Sequence, residues 1–141
     1  MAIDYGEART GLALSDYTGL IATPLTTLTD RNMDWLVKRI AEAVSEHEVG
    51  AIVVGNPLNM DGSVGEKSEK CELLADKLRE CVKIPVEMLD ERLTTVEAHE
   101  IMKENTSRAG KSRKRRHTSA VDAVAAAVIL QSYLDMKRNK L

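Results

Sequence analysis

Phenylalanine is absent from this 141-residue chain, and aromatic residues make up only 3% of it. Proteins that bind single strands by stacking bases need several aromatic rings, so that class is disfavoured. Cysteine is also scarce. Cys71 and Cys81 lie ten apart on a predicted helix, match no zinc spacing and cannot bridge each other within it. They read as reduced thiols serving as small hydrophobes in a cytoplasmic protein. His47, His99 and His117 share no ligand spacing and read as solvated side chains. No signal peptide, membrane span or internal repeat is visible. Net charge is nearly missing too: 20 Lys and Arg against 22 Asp and Glu leave −2, which argues against coating nucleic acid through overall charge.

The length suits one domain, residues 1–141, large enough for a proper core and too small for two. Hydrophobic residues at 43% and charged residues at 30% describe an ordinary soluble globular protein. Met1 already sits inside a strand pattern, so a few residues are expected to precede it. The charge is unevenly spread. Between Lys103 and His117 stand Lys103, Arg108, Lys111, Arg113, Lys114, Arg115 and Arg116, opposed by Glu104 alone. Any nucleic-acid contact should therefore be local.

Met1–Tyr5, Gly11–Ser15 and Leu20–Leu28 read as short strands joined by Gly-containing turns, an antiparallel meander. Pro24 places the third strand at an edge, since proline cannot donate to the ladder. Met33, Leu36, Val37, Ile40 and Val44 follow helical spacing, with Asp30 or Asn32 as N-cap and Gly50 closing the helix. Ala51–Val54 is a continuous apolar run, as expected of a strand covered on both faces. A Gly- and Asn-rich loop, Gly55–Gly65, leads to a helix from about Glu66 to Cys81 with Cys71, Leu74, Leu78 and Cys81 inward. Ile84–Leu89 is the next strand and delivers Asp90, Glu91 and Arg92 at its end. Thr94 and Glu97 form a capping box for a helix over Val96–Lys103. Asn105–His117 reads as a polar, mobile connection, and Thr118 or Ser119 caps a last helix reaching about Met136. The order βββ-α-β-α-β-α-α predicts an α/β fold: a mixed sheet of about five strands, three antiparallel and then two parallel, flanked by helices. Sites in such sheets gather at the carboxyl ends of strands.

Ala120–Leu130, AVDAVAAAVIL, is apolar at every position except Asp122. A carboxylate in a helix that reads as buried all round costs several kcal/mol unless a cation or donors compensate it. Asp4 on the first strand and Asp90 or Glu91 after the fifth can converge with it. Like charges that close repel and normally share a bound cation. Oxygen ligands without Cys or clustered His point to Mg²⁺ or Mn²⁺. Two such ions roughly 4 Å apart activate a water and stabilise the leaving oxygen of a phosphodiester. Arg113, Lys114, Arg115 and Arg116, just upstream of Asp122, would hold substrate phosphates. Each signal also has a plain structural explanation. Asp4-x-Gly6 fits an Asx turn, Asp90 and Glu91 fit a solvated strand end, and Asp122 fits a dipole-stabilised first turn. The basic run fits a solvated loop. Their joint arrangement is what carries weight.

DYGEARTGLALSD (Asp4–Asp16), IATPL (Ile21–Leu25), VVGNPLNMDGSVG (Val53–Gly65), DERLTT (Asp90–Thr95) and DAVAAAVILQSYLD (Asp122–Asp135) resemble the YqgF family over essentially the whole chain. These are Holliday-junction-resolvase-like proteins, also described as nucleases that process the 5′ end of pre-16S rRNA. The resemblance implies a ribonuclease-H-like fold and a cytoplasmic bacterial protein using divalent metal. By position it places the family's acidic residues on Asp4, Glu91 (with Asp90 beside it) and Asp122, with Glu91 favoured over Asp90. Where related resolvases carry a catalytic carboxylate at a strand end, this chain has Asn56. Asn59, Asp61, Arg9 and Arg92 are further candidates for substrate or metal contacts.

A magnesium- or manganese-dependent nuclease trimming pre-16S rRNA is the leading expectation, acting as a monomer or weak homodimer without membrane contact. A resolvase of four-way DNA junctions is the alternative enzyme, and paired cuts there require a two-fold dimer. A non-catalytic RNA- or ribosome-associated factor is the alternative of a different class. An ATPase-like reading of the Asp-x-Gly hairpin is disfavoured, because the chain is too short for a second lobe.

Overall fold

The computed structural model describes residues 1–29, 32–112 and 123–139. Three strands, β1 (Ala2–Asp4), β2 (Thr10–Ser15) and β3 (Ala22–Leu28), form the expected meander. They are followed by α1 (Met33–Glu46), β4 (Ile52–Asn56), α2 (Glu66–Cys81), β5 (Val86–Asp90), α3 (Val96–Ser112) and α4 (Val124–Asn139). The sheet order is β3-β2-β1-β4-β5, with β4 parallel to both β1 and β5. The α/β class and the mixed five-stranded sheet therefore stand as read. β3 is an edge strand, as Pro24 predicted, and β5 is the other. The pairing of β3 slips by one residue at Pro24, where Leu12 faces Thr26 but Ala13 faces Pro24, a bulge that suits a residue with no N–H to donate.

The strand period of two sends alternate residues to opposite faces. Ile3, Leu12, Ile52 and Val54 pack with Leu36, Val37 and Ile40 of α1 and with Cys71, Leu74 and Leu78 of α2. Ala2, Ala13, Ala22 and Val53 face the other way, against Ala98 and Met102 of α3 and Ala126–Leu130 of α4. The apolar reading of the last helix holds for residues 126–132, all buried. Two of these are polar and fully used. Gln131 accepts from the Ala22 N–H at 2.9 Å and donates to the Leu20 carbonyl at 2.8 Å. The Ser132 hydroxyl oxygen accepts from the Thr95 N–H at 3.1 Å. These bonds pin α4 to the sheet edge and to the start of α3.

Several local expectations are corrected. Asn32 caps α1, its side chain accepting from the Asp34 and Trp35 N–H groups. The helix stops at Glu46, and the left-handed residue after it is Glu48 (φ 52°), not Gly50. Cys81 is exposed, against the inward position expected for it, while Cys71 is buried. Cys81 is the last residue of α2 and falls outside the core cluster that holds Cys71, Leu74 and Leu78. At α3 the Thr95 hydroxyl caps the Ala98 N–H, while the Thr94 hydroxyl turns back to the Glu91 carbonyl. The cap therefore falls one residue later than expected, and the Thr94/Glu97 box gives way to a simple Thr95 cap with Ala98 at its third position. α3 continues to Ser112 rather than Lys103, so the first part of the polar segment is helical. Only backbone hydrogen bonding, and no apolar stripe, announces that extension. The expected caps Thr118 and Ser119 lie outside the described residues.

Candidate active site

The carboxyl ends of β1, β4 and β5 lie side by side, since Ile3 pairs with Val54 and Gly55 with Leu89. This register sets Asp4 beside Gly55 on the neighbouring strand. Asp4 follows Ala2 by two residues and so shares its face, towards α3 and α4. The chain leaves β5 through a 3-10 turn, Glu91–Leu93, held by the Thr94 N–H and hydroxyl on the Glu91 carbonyl (3.2 and 3.0 Å). That turn carries the Glu91 carboxyl over Gly55. A Cβ on Gly55 would lie 3.2 Å from Glu91 Oε1 and 2.6 Å from Ile129 Cδ1. The absent side chain leaves the slot in which the Glu91 carboxyl sits.

Asp4 and Glu91 are both partly buried and close enough to repel. Burial is the main cause raising each carboxyl above its ordinary range. The charge of Asp4 raises Glu91 further, and the Lys67 ammonium opposes the rise at both. Two acids held this way with one opposing cation form a site whose charge is incompletely compensated. In the α1/α2 core the Cys71 thiol is pushed up to about 11, by burial first and then by the Glu91 charge. It stays protonated at neutral pH and acts as core.

Asp90 behaves differently. It accepts from Arg92 Nε at 3.0 Å and Nη2 at 2.6 Å, and caps the Arg92 N–H at 2.9 Å. These bonds hold its carboxyl below the usual range, the Arg92 side chain contributing most. Arg92 also reaches the Met60 carbonyl at 3.3 Å and packs beside Gly62 (φ 88°). It thus ties the 57–65 loop to the end of β5. Within that loop Asp61 accepts from the Ser63 N–H and hydroxyl (2.9 and 2.6 Å), and Asn59 Nδ2 donates to Ser63 Oγ at 2.9 Å. Both side chains shape the loop. Asn56, at the end of β4, accepts a hydrogen bond from the buried Ser68 hydroxyl and so anchors the start of α2.

Arg9 is exposed in the turn after β1, and the Arg9 carbonyl would lie 2.5 Å from a Cβ on Gly6, so that close turn requires glycine. Asp122, Arg113, Lys114, Arg115, Arg116 and His117 lie outside the described residues. Ala123, immediately before α4, is fully buried. His47 and His99 are exposed, as expected. Among the described residues no three His, Cys, Asp or Glu side chains are grouped as a metal site. Gly55, Lys67 and Ser68 are not legible as site residues in the sequence. Gly55 reads there as a loop residue, and the other two carry no motif of their own.

The family model described as "RuvX: Holliday junction resolvase" matches residues 1–136. A protein of Thermoanaerobacter pseudethanolicus, named "Putative pre-16S rRNA nuclease", is 39% identical over 99% of this chain and 98% of its own length. A protein of the same name from a Roseiflexus species is 41% identical, covering 98% and 94%. Among solved structures, Thermus thermophilus RuvC in complex with a Holliday junction substrate superposes with a TM-score of 0.60 at 17% identity, covering 95% of this chain and 92% of that one. A second RuvC structure from Thermus thermophilus gives 0.57 at 15%, covering 96% and 94%. This likeness shows the ribonuclease-H-like fold. With a full-length family match and relatives near 40% identity, the chain belongs to the RuvX family of Holliday-junction-resolvase-like nucleases.

Proposed function

We propose that this chain is a divalent-metal-dependent nuclease hydrolysing phosphodiester bonds at the 5′ end of pre-16S rRNA, with residues 1–141 acting as one cytoplasmic domain. The observation that carries the reading is the convergence of Asp4 and Glu91 across Gly55, with both carboxyls raised by burial. A site built of carboxylate oxygens, with charge left uncompensated, suits Mg²⁺ or Mn²⁺. Asp4 and Glu91 would hold the ion, and Asp122, two residues before Val124 in the sequence, would supply the third carboxylate. The Asp90–Arg92 pair favours Glu91 over Asp90 in that role, because Asp90 is already engaged. When bound, the cation activates a water and stabilises the leaving oxygen.

The chain's own residues do the rest. The 3-10 turn holds Glu91 in place, α4 buttresses Gly55 through Ile129, and Arg92 orders the adjoining loop. Arg113–Arg116 and Arg9 would engage substrate phosphates. Relatives named as pre-16S rRNA nucleases favour RNA as substrate. The family description favours a second reading, resolution of four-way DNA junctions by a two-fold dimer.

One experiment separates these readings: labelled pre-16S leader and a four-way junction, incubated side by side with Mg²⁺, Mn²⁺ or EDTA. Metal-dependent cleavage of the leader is expected. Cleavage that persists in EDTA would overturn the metal mechanism. Symmetric paired cuts in the junction, with the leader intact, would select the resolvase.

A further inference from the structure

A cleft of about 290 Å³ opens between the turn after β1, which follows Asp4 in the chain, and the start of α2; Gly6, Glu7, Glu66, Lys67 and Lys70 line it. Two contacts fix its α2 wall. The Ser68 hydroxyl donates to Asn56 at the end of β4, and Lys70 pairs with Glu7 in the β1–β2 turn. Lys67 stands between these clamps. It is exposed, and among the described residues it makes no ion pair, whereas Lys70 is spent on Glu7. Its backbone is therefore held in place while its ammonium remains available. Lys67 lines the cleft together with Gly6, two residues past Asp4, so its ammonium can reach an anion lying there, and its charge also acts on both Asp4 and Glu91.

Resting on the nuclease reading, we propose that Lys67 contacts a backbone phosphate of the RNA strand lying in this cleft, holding the strand against Asp4 and Glu91. A phosphate beside two carboxylates meets repulsion, and a fixed cation between substrate and acids offsets it. The cleft does not attract by net charge, because Glu7 balances Lys70 and Glu66 remains. Lys67 thus acts as one point contact, not as part of a basic track. Lysine suits such a contact, because its ammonium is a compact point charge on a flexible stem.

The test is equilibrium binding of labelled single-stranded leader RNA in EDTA, by wild-type, Lys67→Gln and Lys67→Arg proteins over a salt series. Lys67→Gln should weaken binding roughly two- to fivefold at low salt, the range of one exposed ion pair. It should also lower the salt slope by about 0.7, one phosphate contact on a single strand. Lys67→Arg should restore both. Calorimetric titration with MnCl₂ should show Lys67→Gln binding the ion as tightly as wild type or more so, because a cation beside the acids has gone. An unchanged salt slope in Lys67→Gln, absence of RNA binding by wild type, or parallel loss of RNA and Mn²⁺ affinity would each overturn the assignment. Lys67-dependent binding without any metal-dependent cleavage would instead defeat the nuclease reading and leave the contact standing.

Discussion

The two faces of the sheet are built from different materials. Towards α1 and α2 the buried residues are large and branched: Ile3, Leu12, Leu36, Ile40, Leu74 and Leu78. Towards α3 and α4 half of them are alanine: Ala2, Ala13, Ala22, Ala98, Ala126 and Ala127. The first face gains its stability from apolar area removed from water. The second brings a helix close to the strands, and α4 runs across β1, β2, β3 and β4. Asp4, Gly55 and Glu91 all belong to this second face. Large residues there would lift α4 away from the strand ends where the carboxyls meet. One face therefore maintains the fold, and the other fixes distances.

The comparison is broken most severely at the acids. Asp4→Asn should reduce cleavage ~100-fold or more, the scale of losing a group that stabilises reacting charge. The same change should raise the melting temperature of metal-free protein by a few degrees, as relief of a strained functional site does. The sign follows from protonation. The folded pKa of Asp4 lies above its ordinary 3.8. Its contribution to stability is thus full below 3.8 and is lost as pH rises through the raised value. The Asp4→Asn advantage should accordingly be larger at pH 7 than at pH 4 in thermal melts, and Mn²⁺ should erase it. A variant less stable than wild type at pH 7 in EDTA would contradict the burial argument.

On the opposite face Leu74 is fully buried. Leu74→Ala should cost about 2–5 kcal/mol in urea unfolding while leaving cleavage per folded molecule unchanged. Ala127, equally buried against the sheet, sharpens the contrast. Ala127→Leu should cost about 1–3 kcal/mol by overpacking and should also slow cleavage, because α4 and Ile129 must shift at Gly55. Equal activity in these two variants would remove the distinction between the faces. The smallest effect is expected at Arg92. Its pair with Asp90 is partly exposed, so Arg92→Gln should cost less than about 1 kcal/mol. Its clearer signature should be faster proteolysis within the 57–65 loop, which Arg92 holds through the Met60 carbonyl.

Much of the fold was legible because hydrophobic periodicity and glycine turns are local signals. The meander, the edge strand at Pro24, the element order and α2 at Glu66–Cys81 all follow from them. The misread ends have local causes as well. Thr94 and Thr95 are equivalent as written, and only the chain's path after the 3-10 turn gives the cap to Thr95. α3 runs past Lys103 because backbone bonding continues where side-chain patterning stops.

By itself the sequence determined which residues could carry chemistry: acids at Asp4, Asp90, Glu91 and Asp122, and bases crowded before the last helix. Those are properties of residue type and spacing, and they exist before the chain folds. The family resemblance favoured Glu91 over Asp90, but only the tertiary structure gave a physical difference between them, since a neutralising arginine and a nearby carboxylate are both contacts made in space. Only it showed that Gly55 matters for the side chain it lacks, and that the charge of Lys67, a residue in no motif, acts on both acids. Strand register and helix approach decide such neighbours, and both depend on residues far apart along the chain.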